Sequence, residues 1–181
     1  MKYYRIKCPN AAYHITSRCN NKEFLFNRDC DFVRYLKTLS RCKEKYDFSL
    51  HDYTIMHNHV HLLIRVADSG DVSRIMQSIN RQYARWYNTH YERKGHFWEG
   101  RFDSVIVTDD SQLLAVMRYI DYNAVRAGRC QHPADWKYSG TRFYLNGEKN
   151  SLIDAPETYI ALGPTDESRQ KAYASIFALS L

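Results

Sequence analysis

Residues 53–66, YTIMHNHVHLLIRV, carry histidine at alternate positions 57, 59 and 61 inside an otherwise apolar run. Side chains at i and i+2 of a strand share one face, so His59 and His61 stand side by side there, with Cα atoms roughly 6 to 7 Å apart. Val60, between them, points into the opposite layer and packs. The longer stretch FSLHDYTIMHNHVHLLIRV is too long and too β-branched for one strand, and Asn58 offers a turn. It is expected to fold as an antiparallel pair over residues 48–56 and 59–66.

Other elements follow from periodicity. AYHITSRCN reads as a strand, and RDCDFVRYLKTLSRCKEKYDF as a helix with Phe32, Leu36, Leu39 and Tyr46 near helical spacing. A second helix is signalled by Val72, Ile75, Met76, Ile79, Tyr83, Trp86 and Tyr87, with Arg74, Gln77, Arg81, Arg85 and Asn88 opposite. DSVIV is a short strand. TDDSQLLAVMRYIDYNAVRAG is a third helix, capped by Ser111 or a neighbouring aspartate and ended by Gly128. The order β, α, β, β, α, β, α predicts an α+β fold, a ferredoxin-like (RRM-like) four-stranded antiparallel sheet with helices packed on one face. Residues 1–146 form its domain. Residues 147–181 form a C-terminal tail in which DESRQKAYASIFALSL is a candidate docking helix.

The 181 residues fit a single core, and fifteen tyrosines with few glycines and prolines argue for an ordered chain. A formal charge of +6 favours an acidic partner such as nucleic acid. The five cysteines, Cys8, Cys19, Cys30, Cys42 and Cys130, contain no C-x-x-C pair and read as reduced thiols. No signal peptide and no apolar run of membrane-spanning length is visible, so no membrane association and a cytoplasmic location are expected.

The H-x-H pair admits two readings at this level: a divalent-metal site, or two histidines that share a face without a ligand. A turn at Asn58 takes His57 off that face; a regular strand through it would instead allow a three-histidine zinc site. On the third helix Tyr119 and Asn123 are four residues apart and project together beside an apolar stripe of Leu113, Met117, Ile120 and Ala124.

Taken together, YHITSRCNN, MHNHVHLLIRV, FWEGRFDSVIV, LLAVMRYIDYNAVRAG and YIALGPTDESRQKAYASIF occur in an order that resembles the single-tyrosine HUH transposases, more narrowly the REP-associated tyrosine transposases. The resemblance covers nearly the whole chain. It implies a sequence- and structure-specific single-stranded DNA endonuclease and strand transferase acting on hairpin-forming repeats through a covalent 5′-phosphotyrosine. Tyr119 is then the nucleophile, and His59, His61 and Asn123 hold magnesium or manganese. Imidazole ligation alone would tolerate zinc equally. Three positions depart from the usual pattern: His57 where proline is common, Cys19 where glycine follows SR, and Ala124 where NPVRAG is usual.

Single strands are held by phosphate contacts and by bases laid on aromatic rings. The candidate DNA-binding residues are Arg18 and Asn20 in the first loop, Arg81 and Arg85 on the second helix, and Trp98 and Arg101 in FWEGRF. Arg126 either contacts the scissile phosphate or complements the helix C-terminus. Each arginine has a plainer reading as a solvated surface charge, and Trp98 as core packing. The alternative function is a non-catalytic ferredoxin-like module that grips nucleic acid without cutting it. A monomer is expected, with the tail in the region where a partner would otherwise sit.

Overall fold

The computed structural model describes residues 8, 10–67 and 70–178. It contains β1 (Ala12–Arg18), α1 (Asp29–Lys45), β2 (Phe48–Ile55), β3 (His59–Val66), α2 (Val72–His90), β4 (Asp103–Val107) and α3 (Asp110–Asp121). The strands form one antiparallel sheet in the order β2-β3-β1-β4, the ferredoxin-like arrangement. β1 and β3 are central neighbours, with Thr16 opposite His61 and Arg18 opposite His59.

Local chemistry sets the helix boundaries. The Asp71 carboxylate accepts from the backbone of Ser73 and Arg74 to open α2, and Val72, Ile75, Met76, Ile79, Tyr83 and Tyr87 form its buried stripe. At α3 an aspartate takes the cap: Asp109 accepts from the Gln112 backbone at 2.8 Å and from Ser111 Oγ at 2.6 Å. The ladder is interrupted at Tyr122 and resumes in α4 (Asn123–Arg126). Gly128 then takes φ +63°, and its amide donates to Val125 while that of Arg129 donates to Ala124, a Schellman closure.

The expectation of helices on one face holds for α1 and α2. Asn80 of α2 donates to Ser17 Oγ at 3.0 Å, on the face shared with Val60. α3 lies on the other face, with Tyr119 against His14 and His61. The physical reason is that β2 and β3 are buried on both sides and need two covering layers.

Beyond α4 the chain returns along the outer edge of β2, where the Ile55 amide donates to Tyr138 and the Gly140 amide donates to Tyr53. A Cβ at Gly140 would lie 2.3 Å from Asp52 Oδ1, so only glycine allows so close an approach. α5 (Thr141–Asn146), α6 (Glu157–Ile160) and α7 (Asp166–Ala178) complete the chain. Buried Tyr144, Tyr159 and Tyr173 pack together. Tyr173 donates to Asp121 Oδ2 at 2.8 Å, and Phe177 stacks on Tyr122. The anticipated docking helix therefore seats on α3 and α5; its last residues, 179–181, lie outside the described ones. All five cysteines are free, and among the described residues no helix is long and apolar enough to cross a membrane.

Candidate active site

The open side of β3 brings His59 and His61 together, with ring centroids 4.9 Å apart. Their Nδ1 atoms are already engaged. That of His59 is 2.7 Å from Asn58 Oδ1; that of His61 is 3.0 Å from His14 Nε2 and 3.1 Å from Thr16 Oγ1. Nε2 is thus the free nitrogen on each ring. Burial holds His59 below the ordinary imidazole range, and burial together with the neighbouring His59 and His14 holds His61 well below it, with Asn123 acting weakly the other way on both. Both are neutral lone-pair donors near pH 7.

The tyrosine helix completes the group. Asn123, nearly buried at the start of α4, donates through Nδ2 to the Tyr119 carbonyl at 2.8 Å while its side chain reaches both imidazoles. Tyr119 is 40% exposed, with its ring 5.5 Å from those of His61 and His14. The Arg126 guanidinium lies over the same ring at 4.8 Å. Two neutral imidazoles and an amide oxygen fit a divalent cation, because each offers a lone pair and none carries charge. His57 stands apart: its Nδ1 bonds with the Phe26 carbonyl at 2.6 Å and its ring packs beside Phe24, Phe32 and Trp136. Among the described residues no three His, Cys, Asp or Glu side chains gather for a metal, so a site here depends on the Asn123 amide.

Residues 7–123, well over half of the chain, match the family described as "Transposase IS200 like". The chain belongs to that family. A REP-associated tyrosine transposase of Haemophilus influenzae is 28% identical over 106 residues, covering 53% of this chain and 60% of the relative, so the match spans less than two thirds of the relative's length. A solved REP-associated tyrosine transposase bound to a REP hairpin superposes with a TM-score of 0.69 at 17% identity, covering 86% of this chain and 98% of that one. At that identity the likeness shows the fold.

Other candidates fall in a second place. Arg81, Arg85, Trp98 and Arg101 line a groove of about 900 Å³ between α2 and residues 95–102, across the sheet from Tyr119. Trp98 is half-buried: its indole donates to the Asn80 carbonyl at 2.9 Å and its ring packs on Phe97, while the residue also lines the groove. Arg18 and Asn20 join the two regions. The Arg18 carbonyl accepts from Glu99 and the Asn20 amide donates to Phe97, while the Arg18 charge adds to the lowering of His59 and His61.

His14 and Thr16 escaped sequence reasoning. Their signal is the i, i+2 spacing in AYHITSR, which becomes legible only when β1 is placed beside β3.

Proposed function

We propose that this transposase cleaves and rejoins single-stranded DNA beside a hairpin, with Tyr119 as nucleophile. The observation that carries the reading is that the Tyr119 ring lies 5.5 Å from that of His61 on the H-x-H strand while Asn123, one turn along and beside both imidazoles, donates to the Tyr119 carbonyl at 2.8 Å. The Tyr119 oxygen attacks the phosphorus and gives up its proton to solvent. The P–O3′ bond breaks, and the departing oxygen is protonated to a 3′-hydroxyl. The 5′-phosphoryl group stays on the tyrosine until another 3′-hydroxyl attacks and releases it, so the linkage is conserved and no nucleotide cofactor is required.

His59 Nε2, His61 Nε2 and the Asn123 amide oxygen would hold magnesium or manganese, which when bound supplies charge to polarise the scissile phosphate. His14 and Thr16 fix the ring orientation of His61, and Asn58 that of His59. Arg126 holds a cation against the Tyr119 ring as negative charge develops there. Arg81, Arg85, Trp98 and Arg101 take flanking nucleotides along their groove, with Arg18 and Asn20 leading toward it. The likeness to a hairpin-bound relative supports hairpin DNA as the substrate class. Docking of α7 on α3 within one chain supports a monomer.

The test is incubation with manganese or magnesium and a labelled hairpin oligonucleotide carrying a single-stranded flank. A covalent protein–DNA adduct is expected, absent in Tyr119→Phe and after chelation, and retained in Tyr122→Phe. Tyr122 stacks on Phe177 instead of facing the histidines. An adduct that survives Tyr119→Phe overturns the nucleophile. Binding without any adduct under either metal returns the protein to a non-catalytic module.

A further inference from the structure

Among the described Phe, Tyr and Trp side chains, two stand well out in solvent: Tyr119 at 40% and Phe24 at 51%. Each lies under an arginine from the same short segment. Arg126 is 4.8 Å from the Tyr119 ring, and Arg129 is 5.0 Å from the Phe24 ring. Lone exposed apolar side chains are ordinary on protein surfaces, so exposure by itself assigns nothing to Phe24. Its surroundings do.

The Schellman closure at Gly128 pins the Arg129 backbone to the turn that carries Asn123. On the other side, the Phe26 amide donates to the His57 carbonyl, and the Phe24 ring lies 5.8 Å from that of His57, two residues before His59. The loop leading to Phe24 is held as well: Asn21 and Lys22 take φ +51° and +55°, and Asn58 donates to the Lys22 carbonyl at 3.3 Å. Two rigid segments, one from each half of the candidate active site, thus meet at Phe24. The local charge suits a polyanion. Lys22 and Arg129 are exposed, Arg129 forms no ion pair among the described residues, and the nearby Glu23 is paired with Arg93 at 3.3 Å.

We infer that Phe24 and Arg129 form a stacking platform for an unpaired nucleobase of the strand that Tyr119 attacks. The exposed part of the Phe24 ring takes the base, and Arg129 meets the adjoining phosphate while steadying the ring. Stacking of this kind tolerates any base, because every base presents a π-face. The inference rests on the single-stranded DNA reading above.

The test uses the full chain carrying Tyr119→Phe, so that no strand is captured covalently, and hairpin oligonucleotides with one abasic residue moved along the single-stranded flank. Binding is read by fluorescence anisotropy. One abasic position is expected to weaken binding about tenfold in this parent and less than about twofold once Phe24→Ala is added; Phe24→Trp restores the dependence. Phe24 is half exposed, so its replacement should leave the urea midpoint unchanged, and the loss of dependence at one position separates a base contact from a general weakening. An abasic profile identical with and without Phe24→Ala overturns the platform alone. A parent that binds no hairpin oligonucleotide overturns the DNA reading and the platform with it.

Discussion

The two faces of the sheet share the same strands and meet the demands of burial in opposite ways. Behind β3, Val60, Leu62 and Ile64 pack with Ile15 and with Phe32, Tyr35 and Tyr83 of α1 and α2, all essentially inaccessible. In front, the same strand offers His59 and His61 to a layer containing His14, Asp52, Asp121 and Asn123. Removing apolar groups from water stabilises the first layer; removing polar groups from water costs free energy in the second unless partners are supplied. Those partners are present for Asp121, which accepts from Thr141 at 2.5 Å and Tyr173 at 2.8 Å, whereas Asp52 Oδ2 has none among the described residues. One face makes the fold stable, and the other holds polar and titratable groups away from water.

The sharpest way to break this comparison is to change one residue on each side. Leu62→Ala, behind the sheet, should cost about 2–5 kcal/mol in urea unfolding through lost burial and a cavity. His59→Ala, in front, should cost about 1 kcal/mol or less while removing the covalent adduct. Equal losses of stability would mean that the front layer is as structural as the back.

A second probe is pH. Burial raises Asp121 to about 7 and Asp52 well above the ordinary carboxyl range, the latter further raised by Asp121. An unfolded aspartate titrates near ~3.9, so the folded protein holds these protons more tightly. For Asp121 the stabilising contribution is complete below about pH 4 and is lost as pH rises through about 7. Asp121→Asn should lower stability at pH 4 and flatten the decline above it by on the order of a few kcal/mol, read from urea midpoints against the parent. An unchanged slope would place the charge of Asp121 in solvent.

The smallest expected effect belongs to the α2 groove. Arg81→Gln and Arg85→Gln should each reduce the salt dependence of single-strand binding, by about 0.7 in the slope of log K on log salt, without shifting the site of adduct formation. No change in slope would make them plain surface charges.

The order of elements was legible because hydrophobic periodicity is local: β3 and α2 announce themselves within one window of sequence. The aspartate cap of α3 and the glycine that ends α4 were legible for the same reason. Placing α3 on the opposite face was not, since the choice of face depends on what the rest of the sheet leaves uncovered. His14 beside His61, and Arg129 over Phe24, are contacts across long stretches of sequence that require the strand order first. The gathering of His59, His61, Tyr119 and Asn123 was suggested by family likeness and by spacing on single elements, and neither says how near one element lies to another.

The strap at residues 138–140 has a consequence outside the chemistry. By pairing with Tyr53 and Ile55 it occupies hydrogen-bonding groups that an edge strand would otherwise offer to a neighbouring molecule. A stranger's strand can lengthen the sheet there only after the chain has peeled away its own cover and withdrawn Gly140 from Asp52. The close fit at that glycine therefore helps keep the β2 edge of the sheet closed to a second copy of the chain.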